Sequence, residues 1–270
     1  MNFHKLEAAG NDFILLDLAL QSGKIPSTRR IQELCDRHFG IGADGIIVRL
    51  PSKKNRWKFF NNDGSEANFC GNAARAFTLY LQTLGQSPSP VTFESNIGLI
   101  RGRVIGKGPS VHVEVPLSEK TKFEVPTEIS KFLEGRLIKA QLAYLNSGVP
   151  HLVIGLKKLP SLENRNLISR LIYDHKGAPK GKWNITWLET SSLSAVTWER
   201  GVEDETLACG SGALACYLAL EIWSGKLAGK LNRAKTFKFP GGRLIIKKIN
   251  SRSLGLTGQA HFVFSGKLGK

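Results

Sequence analysis

Long apolar runs are absent from this 270-residue chain: no stretch approaches the roughly 18 uninterrupted apolar residues that a membrane-spanning helix requires. Acidic residues are also scarce, with 22 Asp and Glu against 38 Lys and Arg, a net charge of +16. The four cysteines, Cys35, Cys70, Cys209 and Cys216, show no C-x-x-C spacing, and the six histidines are dispersed. That argues against a disulfide framework and against a zinc-type cluster, so no metal site is expected. Neither a G-x-S-x-G motif nor a Walker A loop is present. What remains is 41% hydrophobic, 9% aromatic and 22% charged. This is globular composition, sufficient for one large domain or for two of about 130 residues.

The opening residues, MNFHKLEAAGNDFILLDL, carry acids and Gly-Asn-Asp where a signal peptide has an apolar block. A soluble cytoplasmic protein with no membrane partner is the expectation. The positive charge concentrates late: residues 221–270 hold eleven Lys and Arg against Glu221 alone. Lys226, Lys230, Arg233, Lys235 and Lys238 stand singly between other residues, without a run of five, which fits a solvated basic face better than a nucleic-acid surface.

Short β-type runs dominate, rich in Val, Ile, Phe and Trp: FILLDL (13–18), GIIVRL (45–50), RWKFFN (56–61), VHVEVP (111–116), HLVIGL (151–156), WNITWLE (183–189), LSAVTWE (193–199) and RLIIKK (243–248). Helical patterns are fewer, over Thr28–His38, from about Cys70 to Leu84 before Gly85, and from about Cys209 to Ser224 before Gly225.

The surroundings of the last two helices repeat. EANFCGNAARAFTLYLQTLG (66–85) and ETLACGSGALACYLALEIWSG (205–225) both read Glu-x-x-x-Cys-Gly, then small residues, then an apolar helix ending at glycine, at an offset of 209 − 70 = 139. An aromatic strand precedes each, ending in Asn61 or Arg200 nine positions before the cysteine. AAGNDFILLD (8–17) pairs with NSGVPHLVIG (146–155), and VTFESNIGLI (91–100) with KTFKFPGGRLII (235–246), at nearly the same offset. Such order implies a duplication. The expected fold is α+β, with two pseudo-symmetric halves, each a mixed or antiparallel sheet wrapped around a central helix, and an active site in the cleft between them. The halves are placed at 1–116, joined by the last strand at about 259–270, and at 117–258, with PLSEKTKFEVPTEISKF (116–132) as the crossover.

A helix start presents unpaired N–H groups and the positive end of the helix dipole, which lowers a thiol's pKa and binds carboxylates. Two such ends, each with a cysteine, suit removal of a proton from a carbon beside a carboxylate on one face and its return on the other. One sulfur must be thiolate and the other thiol, titrating as a coupled pair. Cys35 and Cys216, inside apolar helices, read as packing.

GNDFILLD (10–17), DRHFGIGADGIIV (36–48), FNNDGSEANFCGNAAR (60–75), VPHLVI (149–154), ERGVEDETLACGSGA (199–213), FPGGRL (239–244) and LTGQA (256–260) resemble, in order and over nearly the whole chain, the diaminopimelate epimerase family. The resemblance implies a cofactor-independent isomerase that interconverts LL- and meso-diaminopimelate for lysine and peptidoglycan synthesis. Carried over by position, it implies Cys70 and Cys209 as the acid–base pair, by convention the donor and the acceptor with roles that swap with reaction direction, and His151 and Glu199 as assisting proton transfer or orienting the amine. It further implies substrate contacts from Asn11, Asn61, Gly71, Asn72, Asn184, Glu199, Arg200, Gly210 and Ser211, an amino-acid substrate, no cofactor and a homodimer. Two departures stand out: many members have Asp-Gln at Asp44-Gly45 and Asn-Pro-His at Val149-Pro150-His151.

The G-x-G-x-x-G match Gly40-Ile-Gly42-Ala-Asp-Gly45 follows a helix and precedes a strand, the reverse of a dinucleotide fingerprint. Alternatives to the leading reading are a cofactor-independent racemase of another amino acid, such as histidine, and a basic nucleic-acid-binding protein on the same fold. If the thiols face each other closely, oxidation joins Cys70 to Cys209 and abolishes activity reversibly.

Overall fold

A computed structural model describes residues 1–85, 89–118, 121–136, 139–178, 183–200, 202–225 and 233–269. Lys226 and Lys230 of the basic tail lie outside them. The chain divides into two compact units, Met1–Pro116 with Gly255–Lys270, and Leu117–Leu254.

In the first unit, β1 (Asn2–Ala8) and β2 (Asn11–Asp17) form a hairpin whose turn residues, Ala9 and Gly10, take positive φ of 54° and 88°. Helix α1 (Thr28–Cys35) crosses to β3 (Gly45–Arg49), which pairs parallel with β2, followed by antiparallel β4 (Trp57–Asn61) and short β5 (Glu66–Ala67). Helix α2 (Gly71–Thr83) comes next, then β6 (Val91–Ser95), β7 (Gly98–Val104) and β8 (Ser110–Pro116). The closing strands are β17 (Ser253–Gln259), which lies beside β8, and β18 (His261–Lys267), which gives the sheet order β18-β1-β2-β3-β4-β5. The chain re-enters this unit at Gly255, within β17, a few residues before the point expected from the sequence.

The second unit repeats the plan. After β9 (Lys122–Phe123) and α3 (Thr127–Glu134), β10 (Gln141–Asn146) and β11 (Pro150–Leu156) form a hairpin. Helix α4 (Leu162–Tyr173) crosses to parallel β12 (Asn184–Glu189), followed by antiparallel β13 (Ser194–Glu199) and β14 (Asp204–Thr206). Then come α5 (Gly210–Trp223), β15 (Lys235–Phe239) and β16 (Gly242–Asn250). The order β9-β10-β11-β12-β13-β14 matches that of the first unit strand for strand, with β9 in the place of β18. The fold is α+β with two pseudo-symmetric halves.

Helices α2 and α5 are buried on nearly every side: α2 packs on β1, β2, β6, β7, β8 and β18, and α5 on β10, β11, β12, β13 and β16. A helix apolar all round is one the sheets enclose. Trp57 stacks on Phe77 of α2 (5.4 Å, 18°) with Phe93 edge-on to both rings, and Trp183, Trp187 and Trp198 fill the second unit's sheet–helix layer. Helix α1 stops three residues short of His38. The Asp36 carboxylate accepts from the N–H groups of His38 and Phe39, both at 2.7 Å, and turns the chain there.

Candidate active site

Both cysteines are helix N-caps. Cys70 has extended backbone (φ −137°, ψ 116°) and its Sγ accepts from Ala73 N at 3.4 Å; Cys209 (φ −121°, ψ 112°) accepts from Gly212 N at 3.3 Å. Sulfur takes the place that a Ser or Asp oxygen usually fills. The repeated glutamates four positions earlier hold the approach to each helix. Glu66 accepts from Lys58 (2.7 Å) and Asn96 (3.1 Å), and Glu205 receives a two-pronged bond from Arg165 (2.7 and 2.8 Å).

Around Cys70 the polar groups run along the first turn of α2 to the ends of β2 and β3. Buried Asn72 donates through Nδ2 to Asn11 Oδ1, and Asn11 donates to Asp44 Oδ2 at 2.9 Å. Arg37 clamps both Asp12 (2.8 and 3.1 Å) and Asp44 (2.7 Å), and Lys5 pairs with Asp12 at 2.7 Å. Burial pushes Asp12 up, but the hydrogen bonds from Arg37 and Lys5 outweigh it and hold the carboxyl below its usual range. Asn61 lies across from Gly45 at the end of β4, and its side chain donates to Ser65 Oγ at 3.0 Å, outside the Asn11–Asn72 chain.

Around Cys209 the hydrogen-bonded chain runs through hydroxyls and an imidazole. Cys209 Sγ lies 3.3 Å from Ser211 Oγ, which lies 2.9 Å from His151 Nε2. On the other side of the ring, Nδ1 is 2.8 Å from Thr186 Oγ1, itself 3.1 Å from Thr197 Oγ1. Asn184 Oδ1 accepts from Arg200 N at 3.1 Å, leaving Nδ2 3.5 Å from His151 Nε2. That orientation favours the ring proton on Nδ1, donated to Thr186. Burial, with the Arg200 charge adding to it, pushes the His151 imidazole down to about 3, so it is neutral at physiological pH. Glu199 accepts from Thr206 Oγ1 at 2.6 Å.

The sequence-derived residues thus fall into two sets. Within the first unit, Asn11 and Asn72 are joined beside Cys70 and Gly71; within the second, Ser211, His151, Asn184 and the Arg200 backbone are joined beside Cys209 and Gly210. Sequence reasoning did not find Arg37 and Asp44, the hydroxyls of Thr186 and Thr197, or Arg75, the one charged residue of α2 and fully buried. Cys35 and Cys216 are both buried, and burial raises their thiols, Cys35 to about 12, so neither supplies thiolate at neutral pH.

Of the two departures, the first has a local cause and the second is not explained by the structure. A Cβ at Gly45 would lie 2.5 Å from the Phe60 carbonyl oxygen and 2.8 Å from the Phe59 ring, so no side chain fits there. Val149 is buried in the turn between β10 and β11, where its carbonyl accepts from Ser147 N at 3.1 Å. Among the described residues, no His, Cys, Asp and Glu side chains group as a metal site, and no helix is long and apolar enough to cross a membrane.

The diaminopimelate epimerase family model matches residues 3–116. A diaminopimelate epimerase of Nostoc punctiforme is 33% identical over 288 residues, covering 99% of each chain. One from Aquifex aeolicus is 30% identical over 283 residues, covering 99% of this chain and 98% of its own. A predicted epimerase from Pseudomonas aeruginosa of known structure has the same fold, with a TM-score of 0.73 at 15% identity and coverage of 99% and 98%.

Proposed function

This chain belongs to the diaminopimelate epimerase family, and from that premise we propose that it interconverts LL- and meso-2,6-diaminopimelate in lysine and peptidoglycan-precursor synthesis, with Cys70 and Cys209 as its two acid–base residues. The observation that carries this reading is the duplicated placement of the sulfurs, each capping a buried helix and each holding a backbone N–H of the first turn.

A thiolate at one cysteine takes the proton from the α-carbon, and the thiol at the other returns a proton to the opposite face. Charge develops on the adjacent carboxylate as the proton leaves. Helix-start N–H groups at Gly71–Asn72 and Gly210–Ser211 receive it, and donors so placed contribute about 2.7–4 kcal/mol each. Arg200 supplies a forked cation for a carboxylate and Glu199 an anion for the ammonium group. Asn11, Asn61 and Asn184 serve the remaining polar atoms. Neutral His151 acts on Cys209 through Ser211: when Cys209 holds its proton, Ser211 accepts it in a hydrogen bond.

The reading places the enzyme in the cytoplasm, where thiols stay reduced. It also takes the enzyme as a homodimer, supported by Phe262, Val263 and Phe264 of β18, which are 40%, 53% and 47% exposed on the edge of the sheet. Sedimentation velocity checks that point, and salt-independent activity without nucleic-acid retention checks that the basic face is only solvated. The function itself is tested by incubating the protein in deuterated water with diaminopimelate, histidine and other amino acids. Diaminopimelate alone gains α-deuterium on this account; exchange into a different amino acid, with none into diaminopimelate, overturns it.

A further inference from the structure

Arg75 has no exposed surface, and its guanidinium has no carboxylate to pair with. Nη1 donates to the Gly71 carbonyl at 3.1 Å, Nη2 donates to Asn72 Oδ1 at 2.8 Å, and Nε has no hydrogen-bond partner. Both acceptors are neutral. Burial pulls the group down only to about 10, so it stays charged at neutral pH. A buried charge without a counter-charge is unfavourable by several kcal/mol, so an anion is owed to this site.

The ionisable groups on the strands around α2 are spoken for. Asp12 is held by Lys5 and Arg37, Asp17 by Arg49 and Tyr80, and Glu94 by Lys54. His112 bonds to Thr257, Glu114 is half-buried, and Arg101 and Arg103 are exposed. The guanidinium lies on the first turn of α2, bonded to the carbonyl of the residue that follows the Cys70 cap, so the Cys70 sulfur is the ionisable group at hand; Glu7 is already engaged by His261 and by Gly10 N at 3.1 Å. In the other unit the position 139 residues on is Leu214, fully buried, so the matching place in α5 carries no cation.

We infer that Arg75 is a positioning residue that keeps Cys70 as the thiolate in the substrate-free protein, so that the single proton of the pair rests on Cys209. The two ends of a duplicated site are thereby made unequal before substrate arrives: the form ready to bind is the one whose thiolate sits at the start of α2. This inference rests on the two-thiol reading. Its test, however, follows each sulfur separately and needs no turnover.

The experiment measures the rate of iodoacetamide labelling at Cys70 and at Cys209, peptide by peptide, from pH 5 to 10 on the full-length protein without substrate. Access scales the rate at every pH, whereas the midpoint reports the thiolate. The wild-type Cys70 midpoint is expected about 1–3 units below that of a free cysteine peptide and below that of Cys209. Arg75→Met raises the Cys70 midpoint by at least about one unit, read as a tenfold loss of labelling at a pH well below both midpoints, and Arg75→Lys restores most of it. A purely structural role for Arg75 gives the opposite sign, since loosening the helix speeds labelling and leaves the midpoint in place. Should Arg75→Met not fold, the wild-type profile decides alone: a Cys70 midpoint at or above that of Cys209 overturns the inference. A low Cys70 midpoint in a protein without α-proton exchange removes the two-thiol reading and leaves the role of Arg75 standing.

Discussion

The helix that follows Cys70 and the helix that follows Cys209 begin alike and are furnished differently. Each is capped by sulfur, each is enclosed by its sheet, and each is approached through an ion-paired glutamate. Yet the first carries a buried cation, Arg75, and an amide chain through Asn72 and Asn11 to the ion pairs of Asp44 and Arg37. The second carries Leu214 and a neutral chain from Ser211 through His151 to two threonines. Duplication supplies two equal caps, and divergence of the residues behind them supplies a difference in charge.

The comparison breaks most visibly at the sulfurs. Cys70→Ser and Cys209→Ser are each expected to lower kcat for epimerisation by about 10²–10⁴-fold, since each removes one of the two proton carriers. Equal loss at both positions sharpens the pairing, and full activity in either variant breaks it. The glutamates differ next. The Arg165–Glu205 pair is nearly buried, with side-chain exposures of 13% and 10%, whereas Lys58–Glu66 has 29% and 33%. Glu205→Gln should therefore lower unfolding stability by about 3 kcal/mol, and Glu66→Gln by about 1 kcal/mol or less, read by urea denaturation.

Gly45→Gln, which restores the side chain common in the family, meets the Phe60 carbonyl and the Phe59 ring. It is expected to cost about 1–3 kcal/mol of stability in the same measurement, by overpacking. A further effect, spread over several pH units, is on acid stability. Folding holds His151 neutral down to about 3, whereas the unfolded imidazole takes its proton near 6.5. Between those values the unfolded state binds one more proton, so stability falls as pH falls, by about 1.4 kcal/mol per pH unit from this residue. His151→Gln should flatten the pH dependence of the urea midpoint by that amount, with no counterpart in the first unit's amide chain.

The repeat was legible because both of its helices are rich in small and apolar residues and open with Cys-Gly, a pattern that survives divergence of the rest. Strands such as GIIVRL and WNITWLE were legible for the same reason, being β-branched or aromatic runs buried on both faces. Helix α4 was not: Leu162, Leu167 and Leu171 point outward, 56%, 56% and 42% exposed, while Ser169 and Ile172 are buried, so its apolar pattern does not trace its buried face. Thr186 and Thr197 read as ordinary strand residues, and only pairing of β11, β12 and β13 places their hydroxyls in line with His151. Arg75 has a signal of its own in the sequence: one arginine among alanines, five residues after a cysteine, in a helix with no exposed face in its first two turns.

The account's central claim, two thiols working on one carbon with separate protons, is tested most directly by the early fate of deuterium. LL-diaminopimelate is turned over in deuterated water and both isomers are recovered within the first few per cent of conversion. The account predicts α-deuterium in the meso product, while recovered LL substrate keeps its α-hydrogen, because the sulfur that removes the proton is the one that returns it on that face. Equal labelling of the recovered LL substrate and the meso product would mean a single base serving both faces, and would contradict it.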